Sequence, residues 1–169
     1  MPITLLEDEI MKNKTECLIA PCTGKTVPLS AVPDEVFAAG ILGEGIAIEP
    51  AEGRFFAPVC GKIESVTDSR HAFTLLSDAG VDILVHIGVD TVSLGGEGFL
   101  SHVSAGEAVR AGQLMAEADL ALIRSRGLSA VCSVVVTEPE KIENTEYHPG
   151  ACTGGKDAIM CYQVREGRV

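Results

Sequence analysis

The run Val81-Asp-Ile-Leu-Val-His-Ile-Gly-Val-Asp90 alternates with a period of two. In a β-strand that period puts Val81, Ile83, Val85, Ile87 and Val89 on one face, and Asp82, Leu84, His86, Gly88 and Asp90 on the other. The first face is wholly β-branched and belongs in a core. The second is mixed and carries an imidazole where Leu or Val would pack as well. A strand of this kind needs hydrogen-bonded neighbours and an opposing layer.

The rest of the chain supplies them. From Glu16 onward, short apolar runs are broken by Gly, Pro and Asp at intervals typical of all-β domains. The 18 Gly and 8 Pro among 169 residues fit many short elements joined by tight turns. "APCTGKTV" (20–27) is echoed by "APVCGKIE" (57–64), and Gly106 and Gly112 bracket a third turn unit within 104–119. The expected fold is an antiparallel β-sandwich or barrel built from duplicated hairpin units. One or two short helical turns are expected within it, at 34–42 and at 119–127, the latter with Asp119 as N-cap and Gly127 as stop. The expected domains are an N-terminal arm over 1–15, a sandwich over 16–146 and a C-terminal tail of unassigned role over 147–169. "TLLE" at 4–7 fits a capping box in the arm.

The net charge of −11 and the lack of a Lys/Arg cluster argue against nucleic acid or an anionic membrane as partner. No apolar run approaches the ~20 residues that span a bilayer, and the N-terminus has no basic segment leading into an apolar one. A cytoplasmic protein is expected. Cysteines stand at 17, 22, 60, 132, 152 and 161 without a C-x-x-C, and most are expected to be small, buried, reduced side chains.

"HAFTLL" (71–76) leads into the turn signal "SDAG" and then into the 81–90 strand. A two- or four-residue loop sets His71 opposite His86 and Leu76 opposite Val81, with the two Cβ atoms roughly 5 Å apart. In that register Ala72, Thr74 and Leu76 share the core face with Val85, Ile83 and Val81. Gly88, on the face of His86, would leave the ring uncovered.

Three chemistries could use such a pair. A metal site needs three or four ligands. Here His71 and His86 could bind adventitious zinc with Asp90, but zinc hydrolases of a related sandwich class also need a His-x-His, which is absent. A Ser–His–Asp relay has only Ser69 and lacks a Gly-x-Ser-x-Gly elbow. A neutral imidazole can instead accept a phosphoryl group while a second imidazole donates to its oxygens, with no cofactor required. This third chemistry fits best. A lipoyl or biotin carrier would need a Lys on a hairpin tip, whereas Lys25 and Lys62 open strand-like runs.

The segments "VPDEVFAAGILGEGIAIEP" (32–50), "APVCGKI" (57–63), "HAFTLLSDAGVDILVHIGVDTVSLGGEGF" (71–99) and "GEAVRAGQLMAEAD" (106–119) strongly resemble one family. It is the glucose-type IIA component of the bacterial phosphoenolpyruvate-dependent sugar phosphotransferase system, and the resemblance covers about residues 18–142. It implies a phosphotransferase component that takes a phosphoryl group from the phosphocarrier HPr and passes it to a cysteine of a IIB domain. It also implies roles for individual residues. His86 would be phosphorylated and His71 would support the phosphoryl group. Ser69, where the family usually has Thr, would orient His71. The Gly88 carbonyl would hold the His86 tautomer. Asp34 and Asp90 would meet a donor arginine, and Phe37, Ile41 and Leu42 would form an apolar docking rim, thinner here because Leu84 and Thr67 stand where some members carry Phe. Regulated permeases or kinases are further partners of such proteins. A regulatory module switched by phosphorylation is the alternative from another class. The sugar, the oligomeric state and the tail with Cys152 and Cys161 are not implied by the resemblance.

Overall fold

The computed structural model describes residues 14–165. The capping-box helix expected at 4–7 lies outside them. The strands in chain order are β1 (Lys14–Ile19), β2 (Gly24–Pro28), β3 (Glu44–Pro50), β4 (Arg54–Phe56), β5 (Gly61–Val66), β6 (Ala72–Ser77), β7 (Asp82–Ile87), β8 (Phe99–Ser101), β9 (Ala108–Val109), β10 (Leu114–Ala118), β11 (Cys132–Val136), β12 (Ile142–Tyr147), β13 (Ala151–Cys152) and β14 (Ala158–Val164). Two short helices interrupt them, α1 (Glu35–Ala38) and α2 (Leu120–Ser125). Both start where the sequence predicts. Asp34 accepts from Val36 N–H at 2.9 Å, and Asp119 accepts from Leu122 N–H at 3.0 Å. None of the described helices is long and apolar enough to cross a membrane.

One long antiparallel sheet has the order β13-β2-β3-β11-β7-β6-β5-β9. Two three-stranded sheets, β4-β10-β8 and β1-β14-β12, pack on one of its faces. Ile63, Phe73, Ile83, Val85, Ile87 and Val134 of the long sheet share one core with Phe55, Met115 and Phe99 of the first small sheet and with Leu18, Ile159 and Tyr162 of the second. The molecule is therefore a β-sandwich. A second, smaller cluster lies on the opposite face of the long sheet, where Phe37 of α1 packs with Val32, Ala47, Val89, Val131 and Val135.

The sequence echo has a structural counterpart. Gly24 pairs with Cys152 as Gly61 pairs with Val109, and Lys25 pairs with Ala151 as Lys62 pairs with Ala108. Thr26 N–H donates to Gly150 O as Ile63 N–H donates to Glu107 O. Ile19 N–H donates to Pro58 O while Phe56 N–H donates to Pro21 O. β13 and β14 thus stand to β2 as β9 and β10 stand to β5. The C-terminal segment is the second copy of the third turn unit, and β14 is the central strand of its sheet. β12 runs through the boundary expected after residue 146.

Two expectations are corrected. Cys17 and Cys161, directly opposed on β1 and β14, form a disulfide across 144 residues of chain. Their pairing depends on the docking of the C-terminal strand. The other four cysteines are free, with Cys22, Cys132 and Cys152 buried and Cys60 exposed. The second correction is the β6–β7 register. Ala72, not His71, faces His86, and Phe73 and Leu75 face Val85 and Ile83. The loop is the three-residue Asp78-Ala79-Gly80, closed by Ser77 N–H to Val81 O, with Gly80 at φ +88°. Burial decides the matter. Phe73 and Leu75 are fully buried while Leu76 is 37% exposed, because Phe and Leu remove more apolar area from water than Ala and Thr.

Candidate functional site

β7 keeps the two faces that its period predicts. Ile83, Val85 and Ile87 are in the core, whereas Asp82, Leu84 and His86 are only partly buried on the outer face. Across that outer face, directly paired residues line up as Val27, Ala47, Ser133, His86 and Ala72. His86 is thus flanked by two small side chains, Ser133 on β11 and Ala72 on β6. Ser133, 2% exposed, escaped the sequence reading because strand partners 47 positions apart carry no local signal.

The two histidines do meet. The His71 and His86 ring centroids are 5.0 Å apart with planes at 82°. His71 reaches His86 in spite of the register. Its carbonyl still accepts from Ile87 N–H at 2.7 Å, but β6 begins only at Ala72, and the preceding turn, with Arg70 at φ 58°, takes His71 out of the strand alternation. On another side, the Phe37 ring lies 5.0 Å from the His86 ring at 60°.

Each imidazole is held at Nδ1. His86 Nδ1 donates to the Gly88 carbonyl at 2.8 Å. A carbonyl oxygen only accepts, so Nδ1 carries the proton and Nε2 the free lone pair. Gly88 sits at φ +79°, and a Cβ there would collide with the Thr91 side chain and lie 2.9 Å from Ser129 O. Its role is therefore to allow this backbone turn rather than to uncover the ring. Thr91 secures the turn by donating Oγ1–H to Ile87 O at 2.6 Å. His71 Nδ1 lies 2.7 Å from Ser69 Oγ and 3.2 Å from Thr67 Oγ1.

Both rings stay neutral at pH 7. Burial, reinforced by the neighbouring His86, lowers the His71 pKa to about 4. Burial also lowers His86, against the opposing pull of the Gly88 carbonyl and the Asp34 and Asp90 carboxylates. A half-buried neutral imidazole with one free lone pair is a nucleophile, and a second neutral imidazole beside it can donate to an incoming oxyanion.

The residues expected at the rim fall into different environments. Asp34 is the N-cap of α1. Asp90 is exposed at φ 59° and opens the 3-10 turn Thr91–Leu94. Ile41 is 72% exposed, as a docking residue would be. Phe37 is 5% exposed and belongs to the small core beneath, with Leu42 packed against it. The exposed apolar side chains nearby in sequence are Val36 and Val92. Among the described residues, no group of three or more His, Cys, Asp or Glu side chains could hold a metal ion. The histidine pair alone offers two ligands.

The family model described as "phosphoenolpyruvate-dependent sugar phosphotransferase system, EIIA 1" matches residues 16–142. Among solved structures, the glucose permease IIA from Mycoplasma capricolum superposes with a TM-score of 0.82 at 36% sequence identity. That match covers 88% of this chain and 96% of the other.

Proposed function

The chain belongs to the EIIA 1 family of the phosphoenolpyruvate-dependent sugar phosphotransferase system, and on that premise we propose that His86 carries the phosphoryl group. The protein is a phosphotransferase component of sugar uptake, exchanging phosphoryl groups with HPr and a IIB partner. The observation that supports His86 as acceptor is its bond to Gly88, which directs the free lone pair to Nε2.

In the first transfer the Nε2 lone pair attacks phosphorus. An N–P bond forms on His86 as the donor's N–P bond breaks, and the electron pair of that bond returns to the donor imidazole. In the second, a cysteine thiolate of IIB attacks phosphorus, an S–P bond forms, and the pair from the His86 N–P bond restores the neutral ring. His71, held at Nδ1 by Ser69, donates from Nε2 to the phosphoryl oxygens. Developing charge is thereby met by a fixed donor rather than by reorganising water. No step needs a cofactor. Zinc bound at His71 and His86 would be adventitious, with the remaining ligands drawn from solvent or a partner, and a chelator should leave both transfers intact.

HPr and IIB would dock on the outer face around His86, where Val36, Ile41 and Val92 are exposed and Asp34 and Asp90 supply charge. Regulated permeases or kinases would use this same face. The tail strands belong to one phosphocarrier sandwich with the rest, and the protein works in the cytoplasm. The test is phosphorylation with phosphoenolpyruvate, the general enzyme of the system and HPr, followed by mapping of the modified residue. His86→Ala should abolish acceptance. His71→Gln should impair passage to IIB far more than acceptance, by the roughly 3 kcal/mol typical of one removed donor. Phosphate mapped to another residue, or equal loss of both steps in both variants, would refute the assignment.

A further inference from the structure

Ser69 alone does not decide which nitrogen of His71 carries the proton. A serine hydroxyl can accept from Nδ1–H or donate to a bare Nδ1 with equal ease. At 2.7 Å the Ser69 contact is compatible with either tautomer. The role given to His71 requires only one of them, with the proton on Nε2.

Thr67 is more restricted. Its Oγ1 accepts from the backbone N–H groups of His71 and Ala72, each at 3.2 Å. Those two bonds occupy both lone pairs of the hydroxyl oxygen. Oγ1 is also 3.2 Å from His71 Nδ1, and it can serve that atom only as a donor. The other acceptor within reach of its single proton is Ala72 O, at 3.4 Å, which also accepts from Thr67 N–H at 3.1 Å. A carbonyl can take both, but His71 Nδ1 lies nearer the hydroxyl and is the better acceptor. A proton on Nδ1 would turn the Thr67 hydroxyl away to the longer 3.4 Å contact with Ala72 O and leave the imidazole N–H facing an oxygen whose lone pairs are taken.

We propose that Thr67 is a positioning residue for phosphoryl transfer: its hydroxyl, committed as an acceptor to two backbone amides, breaks the tie left by Ser69 and selects the Nε2–H tautomer of His71. The two rings of the site are thereby set to opposite tautomers by opposite partners. At His86 a carbonyl demands Nδ1–H and frees an Nε2 lone pair. At His71 two hydroxyls share the single Nδ1 lone pair and leave Nε2–H to donate. The same two amide bonds hold the turn that takes His71 out of the β6 alternation, so Thr67 sets both the direction of the ring and its protonation pattern. Because burial keeps His71 neutral down to a pH of about 4, tautomer choice matters throughout the working range.

This inference rests on the role proposed for His71, and the experiment separates the two. Nitrogen-15 NMR of histidine-labelled protein at pH 7 distinguishes Nδ1–H from Nε2–H in each neutral ring. In the natural protein His71 should be Nε2–H and His86 Nδ1–H. Thr67→Val keeps the shape but removes the hydroxyl, and should give His71 a readily detected Nδ1–H fraction and slow passage to IIB several-fold to tenfold. Thr67→Ser should restore both. A natural protein with His71 as Nδ1–H overturns the proposal without any variant. So does a Thr67→Val protein with His71 wholly Nε2–H and transfer at the natural rate. If His71→Gln transfers to IIB as fast as the natural protein, the role of His71 fails, while the tautomer measurement still tests Thr67.

Discussion

His86 Nδ1 and the carbonyl oxygen of Gly88, two residues apart on one chain, are joined by a 2.8 Å hydrogen bond. The bond exists because Gly88 adopts φ +79°, which turns its carbonyl back towards the ring that precedes it. Gly88→Ala is therefore predicted to damage stability and function together. An L side chain at that φ costs roughly 1–2 kcal/mol, and the clash with Thr91 and Ser129 O adds to it. Urea denaturation should show a loss of at least about 2 kcal/mol, and the folded fraction should accept phosphate from HPr more slowly. An undiminished rate would mean that the carbonyl does not prepare the nucleophile.

Stability should fall as pH is lowered across the histidine range. His71 ordinarily titrates near 6.5, but in the folded protein it does so at about 4. Between those values the unfolded chain binds a proton that the folded chain refuses, so acidification favours unfolding. The contribution is intact above pH 6.5 and is lost progressively towards pH 4. Comparing urea midpoints of the natural protein and His71→Gln over this window should show a shallower pH slope in the variant. Parallel slopes would rule out a buried neutral His71.

Asp34 and the apolar residues near it should respond differently to salt. Asp34→Asn removes the charge but keeps an N-cap side chain for α1, so its effect reports charge alone. Transfer from HPr should slow at low ionic strength, and the difference should shrink as salt screens the pair. Ile41→Ala, at an exposed position, should weaken docking at every salt concentration without loss of stability. Phe37→Ala empties a buried site against His86 and should cost about 3–5 kcal/mol of stability. A salt-independent Asp34→Asn effect would remove that carboxylate from the docking surface.

The disulfide makes the stability dependent on redox conditions. Cys17–Cys161 closes a loop of 144 residues, and cross-links of such length contribute about 2–5 kcal/mol. Reductant should lower the urea midpoint of the natural protein and leave a Cys17→Ser/Cys161→Ser protein unaffected. Phosphoryl transfer should proceed in both, because β1 and β14 lie in the small sheet across the core from His86. Equal midpoints with and without reductant would show that the cross-link adds nothing to stability.

The local period of the chain already determined much of this protein. Alternation over Val81–Ile87 separated the core face from the face of His86, and both stand as read. Val89, expected on the core face, lies instead in the opposite cluster with Phe37, because the Gly88 turn at φ +79° ends the alternation. Asp119 marked the start of the second helix, since an N-cap is a bond between near neighbours, while the same role of Asp34 at the first became visible only in the structure. The repeated Ala-Pro-x-x-Gly-Lys marked two strand starts that occupy equivalent places in the long sheet. What the chain could not declare locally is which strand lies beside which, and in what register. The β6–β7 pairing turned on whether Phe73 and Leu75 or Ala72, Thr74 and Leu76 enter the core, a choice made by the opposing layer, which admits the first set and leaves Leu76 at the surface. Ser133, beside His86, and Phe37, against its ring, come from positions 47 and 49 residues away that only sheet order and the α1 flap bring near. The partnership of Cys17 with Cys161 and the placement of β13 and β14 likewise await closure of the second small sheet. Period tells a strand which way to face. Only the packed layers choose its neighbours, because that choice is a competition among buried areas summed over the whole core.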